Sequence, residues 1–347
     1  MFIKKENWKK SLLKLRNHTI KDAIYSLNKS GVQIIIVVNK NNKLIGTITD
    51  GDIRRALVRG EKLESNIKKI INTSPLFLFD SDNLNYPKKI SNFSLLFPIV
   101  NKKMIVSGLC YFLKENSNKI ENSLLIMAGG KGTRLKELTK HVPKTMLPYR
   151  NKPILEHIIL KAKKQGIKNF IISINYLGKQ IKKHFGNGSK LNVKIEYIEE
   201  KFPMGTAGSL SLVSNYNQLP LIIINGDVIT DVDFSNLLNF HKLSRSNVTI
   251  GVISYDLEIP YGVIDVKNDN FISIKEKPYV KNFINSGVYV FDSKLLNKIK
   301  SNKSLDMDIL LSQFKKKKLK IKIFPIHEKW IDIGLPKDYE NLTNDKW

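Results

Sequence analysis

The sequence predicts an α/β protein, a mixed, mainly parallel sheet flanked by helices, preceded by a smaller α+β unit. Three observations carry this. From Leu124 onward, short apolar runs alternate with helical patterns, the spacing of βαβ units whose strands are buried on both faces. A glycine-rich loop, "AGGKGTR" (128–134), directly follows the first of those runs and precedes a helical pattern, where backbone N–H groups can converge on an anion. Ahead of it, an apolar strand, a polar turn and a second strand occur twice. A chain of 347 residues is long enough for two units, each with its own core.

In chain order, "TIKDAIYSLNKSG" (19–31) sets Ile20, Ala23, Ile24 and Leu27 on one helical face and stops at Gly31. "VQIIIVVNKNNKLIGTITDGDIRRALVRG" (32–60) reads as strand, Asn-rich turn, strand and helix. "SLLFPIVNKKMIVSGLCYFL" (94–113) echoes its first part, an internal repeat of about 50 residues. The polar stretch "KENSNKIENS" (114–123) is a linker, which divides the chain into 1–115, 116–122 and 123–347.

"SLLIMA" is then a buried strand, "KPILEHIILKAKKQG" a helix and "KNFIISI" the next strand. "LGKQIKKHFG" is a helix, "VKIEYIEE" a strand and "TAGSLSLVSNY" a helix. "LPLIIINGD" is a strand that ends on a carboxylate. "VTIGVIS", "FISIKEK", "SGVYVFD" and "LKIKIFPI" are further strands. "KWIDIG" again ends on a carboxylate, and "PKDYENL" closes the chain as a helix.

The net charge of +27 raises the question of a nucleic-acid partner, but only seven of the 58 basic residues are arginines and they are scattered. With asparagine also abundant, the charge reads as Lys/Asn compositional drift, so no nucleic-acid partner is expected. The positive field still favours anionic small molecules. Cys110 is the single cysteine, which excludes an intrachain disulfide and a multi-thiolate metal site. The six histidines show no metal-ligand spacing. Neither a signal-peptide core nor an apolar run of membrane-spanning length is present, so a cytoplasmic protein away from membranes is expected.

The glycine loop lacks the Gly-Lys-Ser/Thr ending of a P-loop, and Leu135 stands where a dinucleotide fingerprint needs its third glycine. Gly129, Gly130 and Gly132 permit close backbone approach, and Arg134 adds a planar fork for phosphate. Asp227 and Asp332, at strand ends, are hard oxygen ligands suited to Mg²⁺.

"MAGGKGTRLKELTKHVPKTMLPYRNKPILEH" resembles the signature of the sugar-1-phosphate nucleotidyltransferases, which join a sugar 1-phosphate to a nucleoside triphosphate with release of pyrophosphate. The resemblance spans about 123–347 and implies a Rossmann-like fold. It implies that Ala128, Gly129, Gly130, Gly132 and Thr133 hold the triphosphate. Arg134 would steady the leaving pyrophosphate and Lys144 of "PKTMLP" would reach the α-phosphate, the two catalytic residues. Gly205, Thr206 and Ala207 of "MGTAGSL" would read base and ribose. Gly262, Glu276 and Asn285 would line the sugar site, with Lys277 at its phosphate, and Asp227 and Asp332 would hold Mg²⁺. One departure is Leu335, where the family usually carries Thr after the glycine of "WIDIG".

"GTITDGDIRRAL" in turn resembles the end of a CBS motif, whose T-x-x-D, here Thr49 and Asp52, contacts adenine nucleotides. The second copy, "VSGLCYFL", has neither residue, so a bound ligand and a purely packing role both stay open. A CBS pair joined to such a transferase is similar to guanylyltransferases that activate hexose or amino-sugar phosphates for surface-glycan and nonulosonate synthesis. GTP is therefore the favoured nucleotide, with uridylyl, thymidylyl and cytidylyl transfer as alternatives. A nucleotide sensor with an inactive transferase domain is the competing class, opposed by the intact Arg134, Lys144, Asp227 and Asp332. Apolar segments 33–38 and 94–100 imply pairing of CBS halves and a homodimer.

Overall fold

The β-branched runs of the N-terminal half form two small sheets that share one core. The computed structural model describes residues 2–4, 8–30, 32–81, 95–112, 119–213, 218–299 and 303–344. Strands β1 (Phe2–Lys4) and β2 (Leu12–Lys14) lead to helix α1 (Ile20–Ser30), β3 (Ile34–Val38), β4 (Leu44–Thr49) and α2 (Asp50–Val58). β5 (Leu78–Phe79), β6 (Leu95–Val100) and β7 (Val106–Phe112) follow. One sheet has the order β2-β3-β4 and the other β1-β7-β6-β5.

The echo in sequence is an echo in structure. The Asn39 side chain accepts from the N–H groups of Asn41 and Lys43, and Asn101 does the same for Lys103 and Ile105. Both turns close on a residue of positive φ, Asn42 and Met104. They also pair with each other, Leu44 N–H to Met104 O at 2.9 Å and Val106 N–H to Asn42 O at 3.1 Å. The interval between the matching asparagines is longer than the one read from the sequence. The linker expected at 116–122 begins within residues that lie outside the described ones.

The C-terminal half begins with β8 (Leu124–Met127), the short pair β9 (Pro148–Tyr149) and β10 (Lys152–Pro153), and α3 (Ile154–Lys164). Next come β11 (Asn169–Ile174), α4 (Gly178–Phe185), β12 (Lys194–Glu199), β13 (Leu221–Asn225), β14 (Val228–Thr230) and α5 (Phe234–Leu243). The long β15 (Val248–Glu258) and β18 (Tyr279–Phe291) bracket a hairpin of β16 (Val263–Lys267) and β17 (Asn270–Lys275). The chain finishes through α6 (Ser293–Leu296), α7 (Met307–Lys316), β19 (Ile321–Pro325), β20 (Trp330–Asp332) and α8 (Pro336–Thr343).

The main sheet has the order β12-β11-β8-β13-β18-β15-β19. Its pairings are parallel except those of β18 with β13 and with β15. Alternation along the central strands explains their unbroken apolar runs. Leu124, Ile126, Ile222, Ile224, Val288 and Val290 face one core, while Leu125, Leu221, Ile223, Tyr289 and Phe291 face the other. The first of these cores continues into the N-terminal half, taking in Ile20, Ala23, Ile24, Leu27, Ile53 and Ala56. Tyr25 of α1 stacks on Phe283 of β18 at 5.8 Å between ring centres.

Two expected helices are short 3₁₀ segments instead. After the glycine loop, Thr133–Thr139 is 3₁₀ and broken at Lys136 (φ 50°, ψ −119°). Its cause is local, because the Thr139 hydroxyl bonds back to the Gly132 carbonyl at 2.9 Å. In "TAGSLSLVSNY" the described residues contain 3₁₀ turn Gly208–Leu212. There Asp306 and the Leu305 carbonyl take the N–H groups of Thr206 and Ala207, and residues 214–217 lie outside the described ones.

Candidate active site

Strand ends build the site. β8 delivers the glycine loop and β13 delivers Gly226 and Asp227 beside it, since the two strands are parallel neighbours. Gly226 is required by close approach. A Cβ there would lie 2.7 Å from both the Met127 carbonyl oxygen and Thr145 Cγ2. The chain then turns into β14, which pairs antiparallel with β20 so that Val228 faces Asp332, and Ile333 N–H bonds the Asp227 carbonyl at 3.1 Å. That ribbon brings two carboxylates, more than a hundred residues apart in sequence, near each other: Asp227 lines the cavity, and Asp332 lies two residues before Gly334, which also lines it.

The cavity, of about 240 Å³, is lined by Ala128, Gly130, Gly132, Thr133, Arg134, Lys144, Thr145, Asp227 and Gly334. Lys144 rises from a 3₁₀ turn, Lys144–Met146, and its ammonium pairs with Asp227 Oδ2. Gly132 has φ 65°, and a Cβ there would press to 3.0 Å from Lys144 Cβ, so the loop and the lysine fit against each other only through a glycine. Burial first, and then the negative charge of Asp227, pushes the Asp332 carboxyl up to about 6, against the pull of Lys144 and Arg134. Asp332 Oδ1 is buried with no hydrogen-bond partner. Two carboxylates, one with an orphaned oxygen, fit a divalent cation whose remaining ligands come from phosphates. No cluster of three His, Cys, Asp or Glu side chains suited to a metal occurs among the described residues.

The other expected residues fall in separate places. Gly205 and Thr206 are tied to the start of α7: Thr206 N–H donates to Asp306 Oδ1 at 3.1 Å, and Met307 N–H to Thr206 Oγ1 at 2.8 Å. Ala207 is fully buried. Gly262 meets Glu276 at the base of the β16–β17 hairpin, where a Cβ would lie 2.9 Å from Glu276 Oε2. Lys277 beside it is exposed with φ 44°. Asn285 donates to the Tyr289 hydroxyl at 2.5 Å, just past the end of β13. Leu335, the departure from the pattern, is exposed, and its N–H bonds Asp338 as α8 begins.

Thr49 and Asp52 do not line this cavity but stand at the start of α2. They cap it reciprocally: Thr49 Oγ1 accepts from Asp52 N–H, the Asp52 carboxylate accepts from Thr49 N–H, and Arg55 pairs with Asp52.

Glu200, absent from the sequence reading, is a further carboxylate beside the glycine loop. It follows β12, accepts from the Ser173 hydroxyl and from Met204 N–H, and stands over the glycine loop. A Cβ on Gly129 would lie 2.6 Å from its Oε1. The sequence carried no comparable signal, since "VKIEYIEE" alternates charged and apolar residues and Glu200 is the second of two adjacent glutamates. A larger cavity of about 520 Å³, lined by Met146, Glu156, Gln180, His184 and Leu191, has neither a phosphate loop nor a carboxylate pair.

Comparison with known proteins agrees with this geometry. Residues 123–346 match the nucleotidyl transferase family and residues 15–59 the CBS domain. The chain is 35% identical over 217 residues to D-glycero-alpha-D-manno-heptose 1-phosphate guanylyltransferase of Campylobacter jejuni, covering 62% of this chain and 96% of that one. It is 33% identical over 235 residues to the mannose-1-phosphate guanylyltransferase catalytic subunit beta of Danio rerio, of whose length it spans 62%, again with 62% of this chain. Among solved structures, HddC from Yersinia pseudotuberculosis in complex with GMP-PN aligns with a TM-score of 0.52 at 27% identity, covering 65% of this chain and 100% of that one.

Proposed function

The chain belongs to the nucleotidyl transferase family, and from that premise we propose that its catalytic half transfers the nucleoside monophosphate of GTP to a sugar 1-phosphate, releasing pyrophosphate. The observation that carries the reading is the β14–β20 pairing, which sets Asp332 beside Asp227 and within reach of the charges of Lys144 and Arg134.

The sugar-phosphate oxygen is already anionic at neutral pH, so the attack on the α-phosphorus needs no general base. What it needs is alignment and relief of charge. The backbone of Ala128, Gly129, Gly130, Gly132 and Thr133 holds the triphosphate. Arg134 meets the charge gathering on the departing pyrophosphate, and Lys144 neutralises the α-phosphate as the nucleophile approaches. The family uses a divalent metal; Mg²⁺ held by Asp227 and Asp332 would supply further charge neutralisation at the phosphates. Gly262, Glu276 and Asn285 orient the sugar, and Lys277 its phosphate.

The base preference rests on Glu200. A carboxylate offers two acceptors, which match the adjacent N1–H and N2–H₂ donors of guanine; uracil and thymine present one donor between two acceptors. The guanylyltransferase names of the relatives and the GMP-PN complex support the same choice. A hexose or heptose 1-phosphate is the acceptor, its product serving surface-glycan or nonulosonate synthesis in the cytoplasm. No helix among the described residues is long and apolar enough to cross a membrane. Initial rates with GTP, UTP, dTTP and CTP, for wild type and Glu200→Gln, test the base. GTP should lead in wild type, and the lead should shrink by about tenfold or more in the variant. An unchanged preference in Glu200→Gln would remove Glu200 from base selection.

A further inference from the structure

The proposed chemistry leaves unused a group of polar and ionisable side chains buried where the two halves meet. Asp50 and Arg54 come from α2, Asn28 from α1, and His327 and Glu328 from the loop between β19 and β20. The side chains of Arg54 and Glu328 keep 7% of their exposure, and that of His327 keeps 2%. The Arg54 guanidinium pairs with Asp50 Oδ2, lies 3.7 Å from Glu328 Oε1 and reaches the Pro325 carbonyl at 3.5 Å. It also stacks over the Phe324 ring at 3.8 Å. Asn28 grips from the other side, its amide N–H donating to Ser254 Oγ and its oxygen accepting from His327 Nδ1. His327 Nε2 then stands 3.1 Å from Asp50 Oδ1.

This cluster sits immediately upstream of a catalytic strand. Glu328 precedes Trp330 by two residues and Asp332 by four, and β20 is only three residues long. A three-residue ribbon does not hold itself. Downstream support comes from Trp330 Nε1, which donates to the Ser286 carbonyl at 2.8 Å. Upstream, the backbone is held by Ile326 N–H on the Val252 carbonyl and Asp231 N–H on the Lys329 carbonyl, both at 2.9 Å, whereas the side chains of His327 and Glu328 are held by the other half of the chain. We infer that Arg54, with Asn28 and Asp50, is a positioning group for Asp332, clamping His327 and Glu328 so that β20 ends at the cavity. The inference rests on the reading of Asp332 as a site carboxylate. It makes the N-terminal half a structural wall of the active site, and it links α2, whose first turn holds Thr49 and Asp52, to the place where the metal would sit.

The test uses the full chain with Arg54→Ala, Asn28→Ala and Arg55→Ala. Arg55 is the control: an exposed arginine one position along the same helix, pairing only with Asp52 among these groups. Hydrogen–deuterium exchange over residues 327–334 and steady-state kinetics are read together. Arg54→Ala should speed exchange in 327–334 while leaving β8 and β11 as in wild type, and lower kcat about tenfold with the KM for GTP within about twofold. Asn28→Ala leaves no buried charge unpaired and should move both readouts the same way, about threefold in kcat; it decides the matter if Arg54→Ala does not fold. Arg55→Ala should match wild type. Unchanged exchange in 327–334, or equal effects from Arg54→Ala and Arg55→Ala, would overturn the clamp. An inactive wild type would sink the proposed function, yet the exchange measurement would still decide the clamp.

Discussion

Asp227 and Asp332 are neighbours in different environments. Asp227 is paired with Lys144, whereas Asp332 is half-buried, with its Oδ1 buried and unpartnered, and is held above the usual carboxylate range. The two asparagine variants should therefore differ. Both should lose on the order of 10²-fold in turnover, as happens when one preorganised charged group is removed. Asp332→Asn should also melt at or above the wild-type temperature, because it removes a carboxylate repelled by Asp227. Asp227→Asn should melt lower, because it leaves the Lys144 ammonium unpaired. Pyrophosphate release and thermal melts of both variants check this, and a drop in melting temperature for Asp332→Asn would contradict it. Both aspartates were legible in sequence because each ends an apolar strand. Glu200 was not, because its partner Ser173 lies on the neighbouring strand and its position over Gly129 depends on how β11 and β12 align.

At the scale of elements, the seven strands of the main sheet, β17, β20 and helices α1–α4 and α8 were readable from the sequence, whereas the short β9, β10 and β14, the hairpin strand β16 and helices α5–α7 were not. The two 3₁₀ segments were not, since the bonds that shorten them involve Thr139 and Asp306, partners that helical propensity does not register. Thr49 and Asp52 show a related ambiguity. T-x-x-D is both a nucleotide-contact pattern and the signature of a helix start, and here it forms a closed capping box. Helix α5 carries a pH-dependent element of its own. Burial pushes the His241 imidazole, bonded to Thr249 Oγ1 at 2.9 Å, down to about 4. The unfolded chain binds that proton near pH 6.5 and the folded chain does not, so stability is complete above 6.5 and falls as pH drops toward 4. The loss is about 3 kcal/mol at most. Urea denaturation at pH 7, 5.5 and 4.5 should show a shallower decline in His241→Gln than in wild type; parallel curves would assign the acid sensitivity to other groups.

At the scale of the molecule, the +27 charge is general while the catalytic cations are placed. Changing three of the exposed lysines at 315–318 to Gln should alter turnover by less than about twofold at physiological salt, whereas Lys144→Ala should nearly abolish it. Equal losses would mean that the overall field governs activity. The repeat in the N-terminal half was legible as two strand–turn–strand units, but its contact with the catalytic half was not. Asn28, Arg54, His327 and Glu328 carry no motif and acquire meaning only when packed. With one T-x-x-D, the N-terminal half should bind at most one adenine nucleotide per chain, which equilibrium dialysis with ATP and AMP can count. The central claim is transfer from GTP onto a sugar 1-phosphate at the Asp227–Asp332 site. ³¹P NMR of the full chain with GTP, Mg²⁺ and a panel of hexose and heptose 1-phosphates tests it most directly. The account predicts pyrophosphate and a diester-type nucleotide-sugar signal appearing together for at least one acceptor, and neither signal with Asp332→Asn over the same interval. GTP left intact with every acceptor, or a product formed equally by Asp332→Asn, would contradict it.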